Sequence, residues 1–164
     1  AKEKYQKLLH YFKTQAKTVK EDDQETWYFD CPEDLRIQQN STGSKVWLKK
    51  GTLHDDHREE IEIKCPKEDF AKLRDLFLAL GYNVAIKWFR KRFQFDWIGI
   101  KVCLDHTKGY GYIIELEQVS DNEHKDTVLK KLQDGLSSLN VDITPKEEFT
   151  KQYKFYRDNW QKLI

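Results

Sequence analysis

Between Lys87 and Val119 three runs alternate polar and apolar residues, separated only by short turns. A period of two is that of β-strands, whose successive side chains point to opposite faces. KWFRKRFQFDW puts Arg90 and Arg92 on one face and Phe89, Phe93, Phe95 and Trp97 on the other. In the next run Lys101, Cys103 and Asp105 oppose Ile100, Val102 and Leu104; in the third, Glu115 and Glu117 oppose Tyr112, Ile114 and Leu116. Tight turns between sequential strands imply antiparallel pairing. The segment is therefore a meander with one face to be buried and one face of concentrated charge.

Upstream, the same alternation recurs in shorter pieces. Thr26 to Asp30 is rich in strand formers and is stopped by Pro32, while the acidic run Glu21-Asp22-Asp23 before it reads as loop. Leu35 to Gln38 sets Arg36 and Gln38 against Leu35 and Ile37, and Asn40 to Gly43 is hairpin-turn chemistry. Lys45 to Lys50 sets Lys45, Trp47 and Lys49 against Val46 and Leu48. After a polar loop over residues 51–57, Arg58, Glu60, Glu62 and Lys64 oppose Ile61, Ile63 and Cys65.

Four stretches carry helical spacing instead. Tyr5, Leu8, Leu9 and Phe12 mark a first helix, and Phe70, Leu73, Leu76, Phe77 and Leu80 a second that Pro66 opens and Gly81 ends. A third spans about Glu123 to Leu139; a fourth, to about Leu163, starts at a capping box of Thr144 and Glu147 around Pro145. Tyr153, Tyr156 and Trp160 in that last helix read as core. With more strands than helices and one apolar stripe per helix, the expected architecture is α+β: an antiparallel sheet, curved or closed, with helices packed outside.

Composition narrows the function. Residues 1–164 fit a single domain, and five Trp, eight Tyr and nine Phe supply large buried areas in a chain that is 35% charged. The 29 basic and 28 acidic side chains leave a net charge of +1, which gives no long-range field for nucleic acid or an anionic membrane. Any anion site must be local. Cys31, Cys65 and Cys103 lack metal-binding spacing and read as buried free thiols of a reducing compartment. No apolar run spans a bilayer, so a cytoplasmic protein is expected. His10, His54, His57, His106 and His124 are scattered, and His54 and His57 read as solvated loop residues. No Gly-rich phosphate loop, G-x-S-x-G or H-E-x-x-H is present.

The charged faces repeat like signs two residues apart: Arg90 with Arg92, Glu60 with Glu62, Glu115 with Glu117. Same-face neighbours of like sign repel by roughly a few tenths of a kcal/mol, so opposite charge belongs between them. Arginine forks and lysine point charges suit the oxygens of a polyphosphate. Paired carboxylates suit a divalent cation.

In this order the residues resemble the CYTH family, the triphosphate tunnel metalloenzymes, which include class IV adenylyl cyclases, thiamine triphosphatases and inorganic triphosphatases. The resemblance runs from about Trp27 to Val119. It is carried by Tyr28-Phe29-Asp30, Leu35-Arg36-Ile37, Trp47-Leu48-Lys49, Arg58-x-Glu60-x-Glu62, Arg90-x-Arg92, Leu104-Asp105, and Gly111 with Glu115-x-Glu117. It implies an eight-stranded antiparallel β-tunnel, closed or nearly closed, binding a triphosphate with Mg²⁺ or Mn²⁺. Arg36, Lys49, Arg58, Arg90 and Arg92 would hold phosphate, and Glu115 and Glu117 the metal, with Glu60, Glu62 and Asp105 lining the tunnel near it. The implied activity is hydrolysis of tripolyphosphate, thiamine triphosphate or ATP, by a monomer or homodimer. Hydrolysis is placed ahead of cyclisation of ATP because no residues here read a base; a non-catalytic triphosphate-binding module is the rival.

Three departures accompany the resemblance. The family opens on an E-x-E-x-K strand, whereas AKEKYQKLL already enters a helix; the expectation is a chain without that strand, which binds triphosphate but turns it over poorly. Gln38 stands where a second arginine often follows the first. Tyr110 precedes Gly111 where leucine is usual.

Overall fold

The computed structural model describes residues 1–51 and 58–164. The chain runs through α1 (Lys2–Gln15), β1 (Lys17–Phe29), β2 (Asp34–Gln39), β3 (Ser44–Lys49) and β4 (Glu60–Cys65). A 3-10 turn (Lys67–Asp69) then leads into α2 (Phe70–Ala79), followed by β5 (Val84–Trp97), β6 (Ile100–Thr107), β7 (Gly111–Glu117), α3 (Lys125–Ser138) and α4 (Lys146–Leu163). The strands form one sheet in the order β4-β3-β2-β1-β5-β6-β7, every neighbouring pair antiparallel. The α+β architecture is as expected. Among the described residues, however, the sheet has seven strands and is not closed, because β4 and β7 each keep an unpaired edge.

The acidic run is strand, not loop. Glu21, Asp22 and Asp23 lie in β1, the central strand, in register with Phe93, Arg92 and Lys91 of β5. Acidic residues are poor strand formers, but pairing offsets that preference: Lys91 reaches Glu21 across the strands at 2.8 Å, and Asp22 pairs with Lys20 at 2.7 Å and accepts from Ser41 Oγ at 2.7 Å. Asp22, Gln24 and Thr26 are buried on one face of β1, while Glu21 and Asp23 are exposed on the other.

The long β1–β5 ribbon carries register shifts at Thr18/Lys20 and at Tyr28/Phe29. Such bulges bend and twist a strand, and the sheet curls so that its charged faces look at each other. Lys49 of β3 is close enough to Glu115 of β7, and Lys101 of β6 to Glu62 of β4, to act on their carboxyl groups.

Outside the curl, Tyr5 and Phe12 of α1 pack with Phe93, Phe95, Trp97, Val102 and Leu104, and α3 adds Leu132, with Leu139 from its C-cap. On the other half α2 covers Trp27 and Ile37 with Phe70, Leu73 and Phe77. Gly81 ends α2 in a left-handed conformation, its N–H bonded to Leu78 and that of Tyr82 to Phe77, the Schellman pattern. Ile61 and Ile63 on β4 stay 47% and 59% exposed, so the apolar side of that edge strand is left uncovered.

The last helix departs from the expected arrangement. α4 lies across one end of the charged face, not outside the sheet: Tyr156 is buried with Ile86 and Trp88, which share a face with Arg90 and Arg92, and Tyr28 and Trp160 pack around them. Tyr156 Oη donates to the Lys87 carbonyl and Trp160 Nε1 to the Ala85 carbonyl, both at 3.0 Å. An amphipathic stripe demands an apolar partner, and the inner face offers one at this end. At the far tip of α4, Leu163 closes on Gly109 (φ +74°), where a Cβ would come within 2.7 Å of it. The expected capping box is not formed: Pro145 occupies the N-cap and no side chain caps the helix. Cys31 and Cys65 are half-buried, so only Cys103 meets the expectation of a buried thiol; all three are free. His54 and His57 lie outside the described residues. No helix among them is long and apolar enough to cross a membrane.

Candidate functional site: a curled sheet face of paired charges

Arg90 and Arg92, two apart on β5, converge on one buried carboxylate. Asp105 of β6, cross-strand from Arg92 and 0% exposed, accepts from Arg90 Nη1 at 3.0 Å, from Arg92 Nε at 2.7 Å and from Arg92 Nη2 at 2.6 Å. Arg92 Nη2 also donates to Glu115 Oε2 at 2.6 Å, and Arg90 Nε to Gln24 Oε1 at 2.8 Å. The repulsion expected between the two arginines is thus offset by Asp105, the residue the resemblance placed near a metal. Both of its oxygens are engaged by guanidinium groups, which makes it the anchor of the cationic pair.

Across the curl, Asp34 plays the same part for Arg36 and Arg58. Arg36 donates to it from Nε at 2.6 Å and from Nη2 at 2.5 Å, and Arg58 from Nη1 at 2.6 Å. Arg36 is further sandwiched by aromatic faces, 4.3 Å from the Tyr28 ring and 5.5 Å from that of Trp47. Lys49 pairs with Glu60, and Lys45 with Glu62 at 2.7 Å. The five cations read as phosphate ligands therefore all lie on the charged face, each held by a carboxylate. A triphosphate would have to replace those carboxylates as partner.

The carboxylates divide into two groups. Glu60 and Glu62 are committed to lysines on β3. Glu115 and Glu117 stand two apart on β7, with Glu117 paired to Lys101 at 2.6 Å. One ligand atom each from Cys103, Glu115 and Glu117 lie within 4.8 Å of one another. Burial would push the Glu115 carboxyl up, but Arg92, Arg90 and Lys49 outweigh it and hold it down to about 2. For Glu62 burial is likewise outweighed, by Lys45, Lys64 and Lys101, and its carboxyl lies below the ordinary range. Burial pushes the Cys103 thiol up to about 11, with Arg92 opposing. Ionised oxygens at this spacing fit a divalent cation.

Several participants were not singled out in the sequence. Asp34 lies two residues before Arg36 and so shares its face, a spacing visible in the sequence had the strand been started one residue earlier. Gln38 takes up no arginine's role: it donates to Thr26 Oγ1 at 2.8 Å and lies 3.4 Å from Gln24 Oε1, filling the gap between the two cationic clusters. Asp22 was hidden by the loop reading, and Gln24 fell between that run and the strand expected from Thr26. Cys103 carried the right face but no motif.

An antiparallel sheet curled around rows of buried, paired arginines and carboxylates is the architecture of the triphosphate tunnel proteins. Residues 1–148 match the CYTH domain, and the chain belongs to that family. It is 32% identical over 139 residues, 76% of its length and 77% of the relative's, to a protein of Methanocaldococcus jannaschii named as a candidate adenylate cyclase. In structure it is similar to a conserved hypothetical protein of Pyrococcus furiosus, with a TM-score of 0.72 at 22% identity, covering 89% of this chain and 87% of the other. A protein of Vibrio parahaemolyticus named as a candidate adenylate cyclase gives 0.66 at 14% identity, covering 91% of each. At these identities the structural likenesses speak for the fold alone.

Glu115 makes the face sensitive to acid. Its carboxyl sits at about 2 against an ordinary 4.5, so folding favours the ionised form. A depressed value contributes stability that is present above the ordinary value and is lost as pH falls toward the folded one. Between those limits the melting temperature should fall less steeply for Glu115→Gln than for the parent. Superimposable curves would mean that Arg92 and Lys49 do not hold this carboxylate ionised.

Proposed function

We propose that the charged face binds an inorganic or organic triphosphate and, with Mg²⁺ or Mn²⁺, hydrolyses it. The observation that supports this reading is the convergence of Arg90, Arg92, Lys49, Arg36 and Arg58 on one curled face, each already oriented by a carboxylate that a phosphoryl group can replace. Guanidinium forks recognise tetrahedral oxyanions in two-pronged fashion, and prepositioned cations stabilise charge developing on a transferring phosphoryl group without reorganisation. Arg90 and Arg92 would clamp one end of the chain of phosphates and Arg36 and Arg58 the other, with Lys49 adding a point charge from β3. Asp105 and Asp34 position those arginines. Glu115 and Glu117 would hold a cation that neutralises phosphate charge and activates the attacking oxygen when bound.

A second reading, cyclisation of ATP, is supported by the name of the archaeal relative. The two differ in product. Incubation with tripolyphosphate, thiamine triphosphate and ATP, each with Mg²⁺ or Mn²⁺, should release inorganic phosphate; cyclic nucleotide with pyrophosphate from ATP would select cyclisation instead. Tripolyphosphate alone should raise the melting temperature, since at a hundredfold excess over its dissociation constant linkage gives about 2.7 kcal/mol. Stabilisation without any product would reduce the protein to a binding module. A melting temperature unmoved by millimolar tripolyphosphate would remove the triphosphate reading altogether.

A further inference from the structure

Cys103 lies on the wrong face for an ordinary packing thiol. Its neighbours Val102 and Leu104 point into the core formed with α1, whereas Cys103 belongs to none of the apolar clusters. It points with Lys101 and Asp105 to the charged side, directly across from Glu115. It is nevertheless 0% exposed, and among the described residues its thiol makes no hydrogen bond. The two neighbouring carboxylates are only half used: Arg92 and Lys101 engage Oε2 of Glu115 and of Glu117, which leaves each Oε1 without a partner among the described residues.

We infer that Cys103, Glu115 and Glu117 form a mixed sulfur and oxygen site that takes a thiophilic divalent cation such as Zn²⁺ or Cd²⁺ in preference to Mg²⁺. This deepens the reading of Glu115 and Glu117 as metal ligands and rests on it. Ligand atoms within 4.8 Å of one another need only small side-chain rotations to close on one ion, given bonds of about 2.3 Å to sulfur and about 2.1 Å to oxygen. The metal–sulfur bond forms as the thiol proton leaves to solvent. The thiolate and two carboxylates then bring three negative charges to the ion, among which Arg92, Arg90, Lys49 and Lys101 already stand. Thiolate selects soft and borderline ions over Mg²⁺, which demands hard oxygen donors. Three protein ligands leave a coordination position for water or a phosphate oxygen.

Titration of the substrate-free protein with Co²⁺ tests this. Binding should bring up a sulfur-to-cobalt charge-transfer band in the near ultraviolet. That band should be absent from Cys103→Ser and Cys103→Ala, present in a Cys31→Ser/Cys65→Ser double variant, bleached by equimolar Zn²⁺ and untouched by excess Mg²⁺. Cd²⁺ binding should weaken by roughly 100-fold or more in Cys103→Ser, because even indirect partners of a metal ligand are worth 10- to 100-fold. Cobalt bound without the band would mean an oxygen-only site and overturn the assignment of Cys103. A band that survives Cys103→Ser but disappears from the double variant would place the ion on the other thiols, with the same consequence. The spectrum needs no turnover, so it can fail while triphosphate hydrolysis succeeds, and the reverse.

Discussion

Replacing Asp105 by alanine is expected to destabilise the fold by about 3–5 kcal/mol, the usual result of removing one partner from a buried ion pair. The residue is wholly buried, and the two arginines bonded to it keep side-chain exposures of only 15% and 11%. Without the carboxylate, two guanidinium groups would face each other two residues apart in a poorly hydrated cleft, with Glu115 and Gln24 as their remaining partners. Most of the cost is that of leaving cations buried and unpaired, not the net worth of the pair. Against a total stability typically of about 5–15 kcal/mol, such a loss moves the unfolding midpoint far. Asp105→Asn keeps the shape and one acceptor oxygen but no charge, and should fall between parent and alanine variant. Chemical denaturation gives the comparison, with Glu21→Ala as the control because the Glu21–Lys91 pair is exposed on the other face. Equal losses from Asp105→Ala and Glu21→Ala would show that the buried pair is solvated after all.

What the sequence reveals follows from how local the cause is. The alternation from Lys87 to Val119 is legible because each strand there has an apolar face to bury, and burial enforces period two. Arg90, Arg92, Asp105 and Glu115 could be placed on one face from spacing alone, and the structure has them in mutual contact. Glu21-Asp22-Asp23 could not be recognised as strand, since nothing in its own composition favours one. Glu21 is held by Lys91 of β5, from far along the chain, and Asp22 by Ser41 in the turn after β2 together with Lys20 on its own strand. The inward position of α4 was illegible for a related reason: its stripe of Tyr153, Tyr156 and Trp160 says that the helix is covered, but not by which side of the sheet. Carboxylate roles were blurred likewise. Asp105 and Glu115 look alike in sequence, and only the guanidinium contacts separate an anchor for arginines from a carboxylate with an oxygen to spare. The seven-stranded sheet with free edges on β4 and β7 is a property of pairing across the whole chain, which no single run encodes.

Arg92→Ala is expected to weaken tripolyphosphate binding by about 1.5–3 kcal/mol, the range for hydrogen bonds to charged groups, or roughly 10- to 150-fold. Lys91→Ala, one residue away, should leave it nearly unchanged. The contrast follows from the register: Arg92 points to the charged face and is bonded to Asp105 and Glu115, while Lys91 points outward and pairs with Glu21. Arg92→Lys should recover part of the loss, since it restores the charge without the fork. Part of the effect of Arg92→Ala could come from the Glu115 carboxylate it leaves without its guanidinium partner, so affinities belong to variants that retain a cooperative melt, measured by calorimetric titration. The double variant Arg92→Ala/Glu115→Gln separates the two contributions, because it removes a competing carboxylate together with the cation. If Glu115 competes with phosphate for Arg92, Glu115→Gln alone should tighten metal-free binding of tripolyphosphate, and should do nothing in the absence of Arg92. Equal losses for Arg92→Ala and Lys91→Ala would mean that phosphate is held by the overall charge of β5 and not by the paired face.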